Sequence, residues 1–416
     1  MNTLDNLQFE AKFITLVREK NLKKRAQLAE SFWNELISTT STPLVVGNRA
    51  YFLYFGDAQT VGLAGDWSRW RPAAELTRVP KTKLFFKMLE FPETARLQYK
   101  LIIDGNWGMD VHNSHYSEEG FGINSEFLMP QYVDESWLSP SPELLKALQA
   151  SQPNEDGFVE IEPQKNGTLE RFFVESKVLK EAREIFLYTP AFKKGDDVKS
   201  LPLLVIHDGS EAVTIGKYDE ILNNLIAAGE LRPCLALFIS PKMRNAEYAL
   251  NDDFVEFCVK EALSFAVQTW RARGLDVSCD PHERCVTGAS LGGLLATNTI
   301  FKNPDILGAA IVQSPAYWWQ KREIFKKQYF KNAAKLRVVL QTGTVWDTHL
   351  NAVAMYAALK ERGAEVFYQE FHQGHTWGNW RTNFASGVRA WLPKEKVASG
   401  RKKCELMFDD EELISI

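Results

Sequence analysis

A serine held between two glycines, Gly288-Ala289-Ser290-Leu291-Gly292, sits where a strand-like run from Pro281 to Thr287 gives way to a helix-like run from Gly293 to Phe301. A junction of this kind reverses the chain within a few residues. The residues flanking the serine then need almost no side chain, because strand and helix pass close to each other there. This commits the region to a strand-turn-helix unit with a hydroxyl at its tip. The competing reading is a glycine-rich packing turn without chemistry, and the placement of other residues decides between the two.

Downstream of Ser290 come a strand, Lys335 to Gln341, and a glycine-containing loop, Thr342-Gly343-Thr344-Val345-Trp346-Asp347. A helix from Leu350 to Arg362, a strand from Glu365 to Phe371 and then Gln373-Gly374-His375 follow. The order is therefore Ser290, Asp347, His375, with acid and base each on a loop just after a strand, as the α/β-hydrolase arrangement requires. A serine hydroxyl is a poor nucleophile at neutral pH, so His375 takes its proton and Asp347 holds the imidazole tautomer. A tetrahedral oxyanion needs backbone N–H donors. The N–H of Leu291 is one candidate, and the loop after the strand Leu203-Leu204-Val205-Ile206-His207 supplies two more, Gly209 and Ser210.

The remaining histidines are weaker candidates. His349, two residues after Asp347, is the base only if the loop folds differently, and His372 reads as the last core residue of its strand. The His112-Asn113-Ser114-His115 spacing invites a metal, but no cysteine or acidic pair at ligand spacing accompanies it. We therefore expect neither metal nor cofactor.

Among 416 residues, 49 basic and 53 acidic side chains leave a net charge of −4, with no basic face for nucleic acid. The five cysteines (Cys234, Cys258, Cys279, Cys285, Cys404) are odd in number and form no C-x-x-C pair, which reads as reduced thiols in a cytoplasmic protein. The first residues lack the basic and apolar regions of a signal peptide. No apolar stretch is long enough to span a membrane. No feature of the sequence sets an oligomeric state.

Residues 1–45 read as amphipathic helices and 46–133, with short alternating runs such as Ala50 to Phe55 and Arg96 to Ile103, as an all-β sandwich. Residues 134–167 are rich in Pro, Ser, Glu and Asn and read as a linker with a short helix around Pro142 to Gln149. In 168–393 strands alternate with longer helical segments, the signature of a mostly parallel sheet in an α/β domain. Residues 394–416 read as a solvated, charged tail.

On these residues the C-terminal domain resembles the enterochelin esterase branch of the putative-esterase (esterase D-like) α/β-hydrolases, over roughly residues 165 to 393. The matching segments are Gly288 to Gly293, Gln313-Ser314-Pro315-Ala316-Tyr317-Trp318-Trp319, Arg244-Asn245-Ala246-Glu247-Tyr248 and Gln373-Gly374-His375. The resemblance implies Ser290 as nucleophile, His375 as base and Arg244 as a substrate-contacting arginine. Trp318 and Trp319 either line the acyl pocket or pack in the core under the next helix. In the N-terminal part, Val61 to Trp70 and Tyr99 to Trp107 resemble an early-set immunoglobulin-like module of the kind shared with glycogen-binding modules. Trp67, Trp70 and Trp107 there either stack on a ligand ring or anchor turns. The chain departs from the family pattern at Trp346, where relatives tend to carry the acid, and at Ala212 and Ala289.

The resemblance implies a serine esterase acting on a small-molecule ester, foremost the ester or lactone bonds of a catecholate siderophore such as ferric enterochelin. Iron then enters only with the substrate. The alternatives are a feruloyl- or acetyl-type carbohydrate esterase with a glycan-binding sandwich, and a binding protein that uses the hydrolase domain as a scaffold.

Overall fold

The structure, a computed structural model, describes residues 3–72, 74–138 and 167–393. The helix expected around Pro142 to Gln149 and the charged 394–416 tail lie outside the described residues. By its internal contacts the chain forms two compact units. One holds Met1–Asp134 together with two later loops, Gly343–Asp347 and Glu370–Asn379, and the other holds the rest.

In the first unit, apolar residues at helical spacing give helices Thr3–Arg18 and Leu22–Thr39, the second capped by the Asn21 side chain accepting the Lys24 N–H. Their buried faces, with Phe9, Phe13, Phe32, Trp33 and Leu36, pack on Tyr51, Leu53 and Leu84 of the sheet beneath. That sheet orders β1 (Leu44–Val46), β2 (Arg49–Phe55), β6 (Leu84–Glu90) and β5 (Thr77–Arg78). A second sheet orders β4 (Ala74–Glu75), β3 (Val61–Gly65), β7 (Arg96–Ile103), β10 (Gly122–Leu128) and β9 (Tyr116–Glu119), with β8 (Asn106–Gly108) also on β7. The strand pairs in both sheets are antiparallel.

Phe52 and Phe85 of the first sheet share one core with Leu63, Leu97, Tyr99 and Phe127 of the second, so the two sheets form a sandwich. Each such side chain, once fully buried, stabilises by about 1.5–3 kcal/mol. Trp67 belongs to this core, its ring 5.4 Å from Phe52 and 5.1 Å from Phe91. Trp70 donates its indole N–H to Asp66, and Trp107 is exposed. Of the three tryptophans, Trp107 is the exposed one and the other two are half-buried.

The second unit is built on an eight-stranded sheet with the order β11 (Thr168–Ser176), β12 (Glu181–Thr189), β14 (Leu235–Ile239), β13 (Leu203–His207), β15 (Arg284–Ala289), β16 (Ala309–Gln313), β17 (Arg337–Gly343) and β18 (Glu365–Phe371). From β14 to β17 neighbouring strands run parallel, and β13 to β16 are buried along their whole length, as strands covered on both faces must be. β18 runs with β17: Glu365 donates to the Leu336 carbonyl near their starts, and Gln341 donates to Gln369 near their ends.

The sheet is mixed, however. β11–β12 and β12–β14 are antiparallel. The physical reason is connection length: only four residues separate β11 from β12, enough for a hairpin and far short of a parallel crossover. Among the described residues no helix is long and apolar enough to cross a membrane. Cys234, Cys258 and Cys285 are free and buried.

Candidate active site

Three of the loops that carry candidate residues leave the carboxyl ends of β13, β15 and β17, and the fourth follows β18. In open α/β sheets this is the edge where ligands bind.

In the second unit, Ser290 follows β15 with φ 57° and ψ −118°, a strained left-handed-side conformation that costs on the order of 1–3 kcal/mol. Surrounding bonds over-determine it. Its N–H donates to the Gln313 carbonyl at 2.9 Å, and its carbonyl accepts from Ala316 and Leu294 at 2.9 and 3.1 Å. A Cβ on Gly288 would lie 2.6 Å from the Gly292 backbone, so the glycine is needed for strand and helix to approach. The Gln313-Ser314-Pro315-Ala316 segment therefore buttresses the turn from behind. Leu291 is the first residue of the helix Leu291–Lys302, where its N–H has no intrahelical acceptor.

Gly209 likewise opens the short helix Gly209–Thr214 after β13. Ser210, also expected as an oxyanion donor, is differently engaged. Its N–H donates to Ser240 Oγ at 3.1 Å and its hydroxyl to Glu184 at 2.7 Å. Those bonds leave Gly209 as the donor candidate on this loop.

Arg244 makes a two-pronged ion pair with the buried Asp208, Nε to Oδ1 at 2.6 Å and Nη2 to Oδ2 at 2.8 Å. Its Nη2 also donates to the carbonyl of Ala289, one residue before the serine, at 3.2 Å. Burial works against its charge, but the Asp208 bonds outweigh burial and hold the guanidinium above its ordinary range. Arg244 thus ties the β13 loop to the serine turn, and its Nε–Nη2 edge faces protein groups. Glu247, the other charged residue of that motif, pairs instead with the fully buried Arg183 at 2.8 Å. Trp319 packs against the main core, whereas Trp318 is 52% exposed. Of the pair, Trp318 is the one placed to meet a ligand.

His207, at the end of β13, was given no role by the sequence. It is buried and neither ring nitrogen has a partner among the described residues. Burial, aided by the Arg244 charge, lowers its pKa to about 3 and keeps it neutral.

In the first unit, the Asp347 side chain is fully buried and divides its oxygens. Oδ2 accepts the Gly343 N–H at 2.6 Å, and Oδ1 lies 2.6 Å from His375 Nδ1. A carboxylate on Nδ1 fixes the tautomer that leaves Nε2 as the basic nitrogen. Trp346, in a left-handed conformation with φ 51°, turns outward and stacks under Arg69 at 4.3 Å, so the following residue points inward.

His375 is held from both sides. Gly374 before it lies against Asp66, whose carboxyl a Cβ at that position would overlap, and the Gly374 carbonyl accepts from Asn379 Nδ2 at 2.8 Å. Thr376 after it caps the helix Trp377–Trp391 by accepting the Asn379 N–H at 3.2 Å. Glu119 of β9 accepts the next two amides, Trp377 at 2.7 Å and Gly378 at 3.0 Å. His372 is exposed rather than core, with Nδ1 2.6 Å from Thr94 Oγ1 and its carbonyl accepting from Arg96. His349 opens the helix His349–Glu361, and His112 sets its ring edge-on to Trp33 at 4.9 Å.

Sequence reasoning missed Glu119, Asp66, Thr376 and Asn379. Only the cap had a local signal, a threonine three residues before an asparagine at the start of an amphipathic run.

Comparison with known proteins follows this geometry. The profile of the family described as putative esterase matches residues 176–391, just over half of the chain. The chain is 27% identical over 238 residues to the iron(III) enterobactin esterase of Dickeya dadantii (strain 3937), covering 52% of this chain and 53% of that protein. It is 26% identical over 232 residues to the iron(III) enterobactin esterase of Escherichia coli (strain K12), covering 52% and 56%. The matched stretch spans about half the length of these curated relatives. Among solved structures, the enterobactin esterase from Shigella flexneri in the presence of enterobactin aligns with a TM-score of 0.63 at 20% identity, over 82% of this chain and 92% of that one. The ferric enterobactin esterase from Salmonella typhimurium aligns with a TM-score of 0.67 at 18% identity, over 87% and 98%. At these identities the alignments show a shared fold.

Proposed function

We propose that this chain, which belongs to the putative esterase family, is a serine esterase that cleaves the ester or lactone bonds of a catecholate siderophore of the enterobactin type. The observation that carries the reading is the coexistence of a strained serine turn with an imidazole whose Nδ1 is held 2.6 Å from a buried carboxylate. One supplies a nucleophile and the other a base of fixed tautomer. The names of the relatives support the substrate class.

In this mechanism Ser290 Oγ attacks the ester carbonyl while its proton passes to His375 Nε2. Asp347 stabilises the imidazolium and stays ionised. The N–H groups of Leu291 and Gly209 receive the oxyanion, and collapse of the tetrahedral intermediate expels the alcohol, which takes the proton from His375. Water then repeats the sequence on the acyl-enzyme and frees the serine. Iron, where present, belongs to the substrate, and no metal takes part in the steps assigned to these residues. The first unit, whose β-sandwich is expected to be immunoglobulin-like, includes the loops of acid and base in this reading.

The test is a mass-spectrometric panel: cyclic and linear catecholate esters with and without iron, feruloyl oligosaccharides and short p-nitrophenyl esters. Stepwise hydrolysis of the catecholate esters is expected. Turnover of feruloyl sugars alone would replace this substrate with the carbohydrate ester.

A further inference from the structure

The catalytic assignment gives no role to Glu119, a carboxylate close in the structure to the His375 loop. Glu119 ends β9 of the sandwich and receives four donors: Gln98 Nε2 at 2.6 Å, Ser117 Oγ at 2.9 Å, and the amides of Trp377 at 2.7 Å and Gly378 at 3.0 Å. The last two belong to the first turn of the helix that begins directly after His375 and Thr376. With the Thr376 hydroxyl on Asn379, the first three amides of that helix all have acceptors, two of them on a strand 258 and 259 residues away in sequence. The same turn reaches back over His375, because Asn379 Nδ2 holds the Gly374 carbonyl.

We infer that Glu119 is a positioning residue for the base: by anchoring the first helical turn after His375, it fixes where the imidazole stands relative to Asp347. The inference rests on His375 acting as the base. A free helix start frays within its first turn, since its amides lack intrahelical acceptors. Here fraying would carry Asn379 with it, and with Asn379 the grip on Gly374. A displacement of His375 by about 1 Å is enough to cost on the order of 100-fold in rate. Glu119 touches no reacting atom, so it acts through His375 alone and leaves substrate affinity untouched.

The experiment compares Glu119→Ala, Glu119→Gln and, as a neighbouring exposed control on the same strand, Glu118→Ala, using the full chain and p-nitrophenyl butyrate. For Glu119→Ala, kcat should fall about 10- to 100-fold with KM within about twofold of wild type. Glu119→Gln, which keeps one acceptor oxygen, should lie between, and Glu118→Ala should match wild type. The low-field proton resonance of the His375 Nδ1–H bond to Asp347 should weaken in step with kcat. A Glu119→Ala protein with kcat within twofold of wild type overturns the inference. So does a fallen kcat with the low-field proton intact, or a loss confined to KM. If Glu119→Ala does not fold, the same criteria apply to Glu119→Gln. His375→Ala, run alongside, separates the two levels: near-wild-type activity there removes His375 as base and Glu119 with it, whereas an inactive His375→Ala beside a normal Glu119→Ala removes only the positioning role.

Discussion

The serine and histidine halves of the candidate site reach rigidity by opposite routes. Ser290 is held by its own neighbours and by β16: strained backbone, absent side chains at Gly288 and Gly292, and three backbone bonds. His375 stands on an unstrained loop and is held by side chains, Asp347, Asn379 and, through the helix start, Glu119. Backbone-built rigidity tolerates few sequences and is therefore conspicuous in one. Side-chain-built rigidity draws on residues scattered along the chain and leaves little local trace.

The largest test of this contrast is Ser290→Ala. Removing the nucleophile should lower kcat on p-nitrophenyl esters by on the order of 10⁶-fold, as in other serine hydrolases, while the melting temperature stays near wild type because the glycines and backbone bonds remain. Activity above a tenth of wild type would end the assignment of the serine half. Asp347→Asn strikes the other half. An amide in place of the carboxylate permits the wrong imidazole tautomer and should cost on the order of 10⁴-fold in kcat. A loss within tenfold at unchanged stability would mean that His375 is oriented without Asp347.

Arg244→Ala gives a third, smaller effect of a different kind. It strands the buried Asp208 without its cation, which should appear as lost stability in chemical denaturation, toward the lower end of the about 3–5 kcal/mol typical of breaking buried pairs, because Arg244 is a third exposed. A raised KM with unchanged stability would instead make Arg244 a substrate contact, as the family resemblance implied.

The smallest effects lie in pH dependence, where the halves should pull in opposite directions. Burial, with the Glu119 charge adding and the Gln98 N–H opposing, pushes the Asp66 carboxyl up from 3.8 to about 7. The folded state then binds more protons than the unfolded one between those values, so this contribution is full below about pH 4 and is lost as pH rises to about 7. His207, held down to about 3 from 6.5, does the reverse: its contribution is full above pH 6.5 and is lost as pH falls toward 3. Melting temperatures between pH 4 and 8 should therefore show Asp66→Asn losing more stability on acidification than wild type, by a few degrees. His207→Gln should instead lose stability as pH rises across that window. Identical pH profiles for wild type and both variants would show that neither group is perturbed in the folded protein.

The same contrast explains what could be read in advance. The serine turn, the loops of the candidate acid and base and the alternation of the α/β domain are local patterns, each visible in a short run of residues. The antiparallel edge β11–β12 was not, because it needs the short hairpin that interrupts the strand-helix rhythm. Ser210 and Trp319 look eligible by motif. Only packing shows that Ser240 and Glu184 engage one and that the core takes up the other. Compactness also overrides sequence order: the loops of Asp347 and His375 cluster with the sandwich more than two hundred residues before them.

That clustering gives the chain a timetable. Made from its N-terminus, the sandwich carrying Asp66 and Glu119 can pair its strands while residues 370–379, which cluster with it, are still untranslated. The serine turn, needing only β15, β16 and the helix after it, comes next. The bond from Glu119 to Trp377 closes across 258 residues, and a contact of that span forms late. In the proposed assignment a nascent chain therefore holds a shaped serine before it has a shaped base, and hydrolytic competence waits for residues 370–379 to reach the strand that carries Glu119.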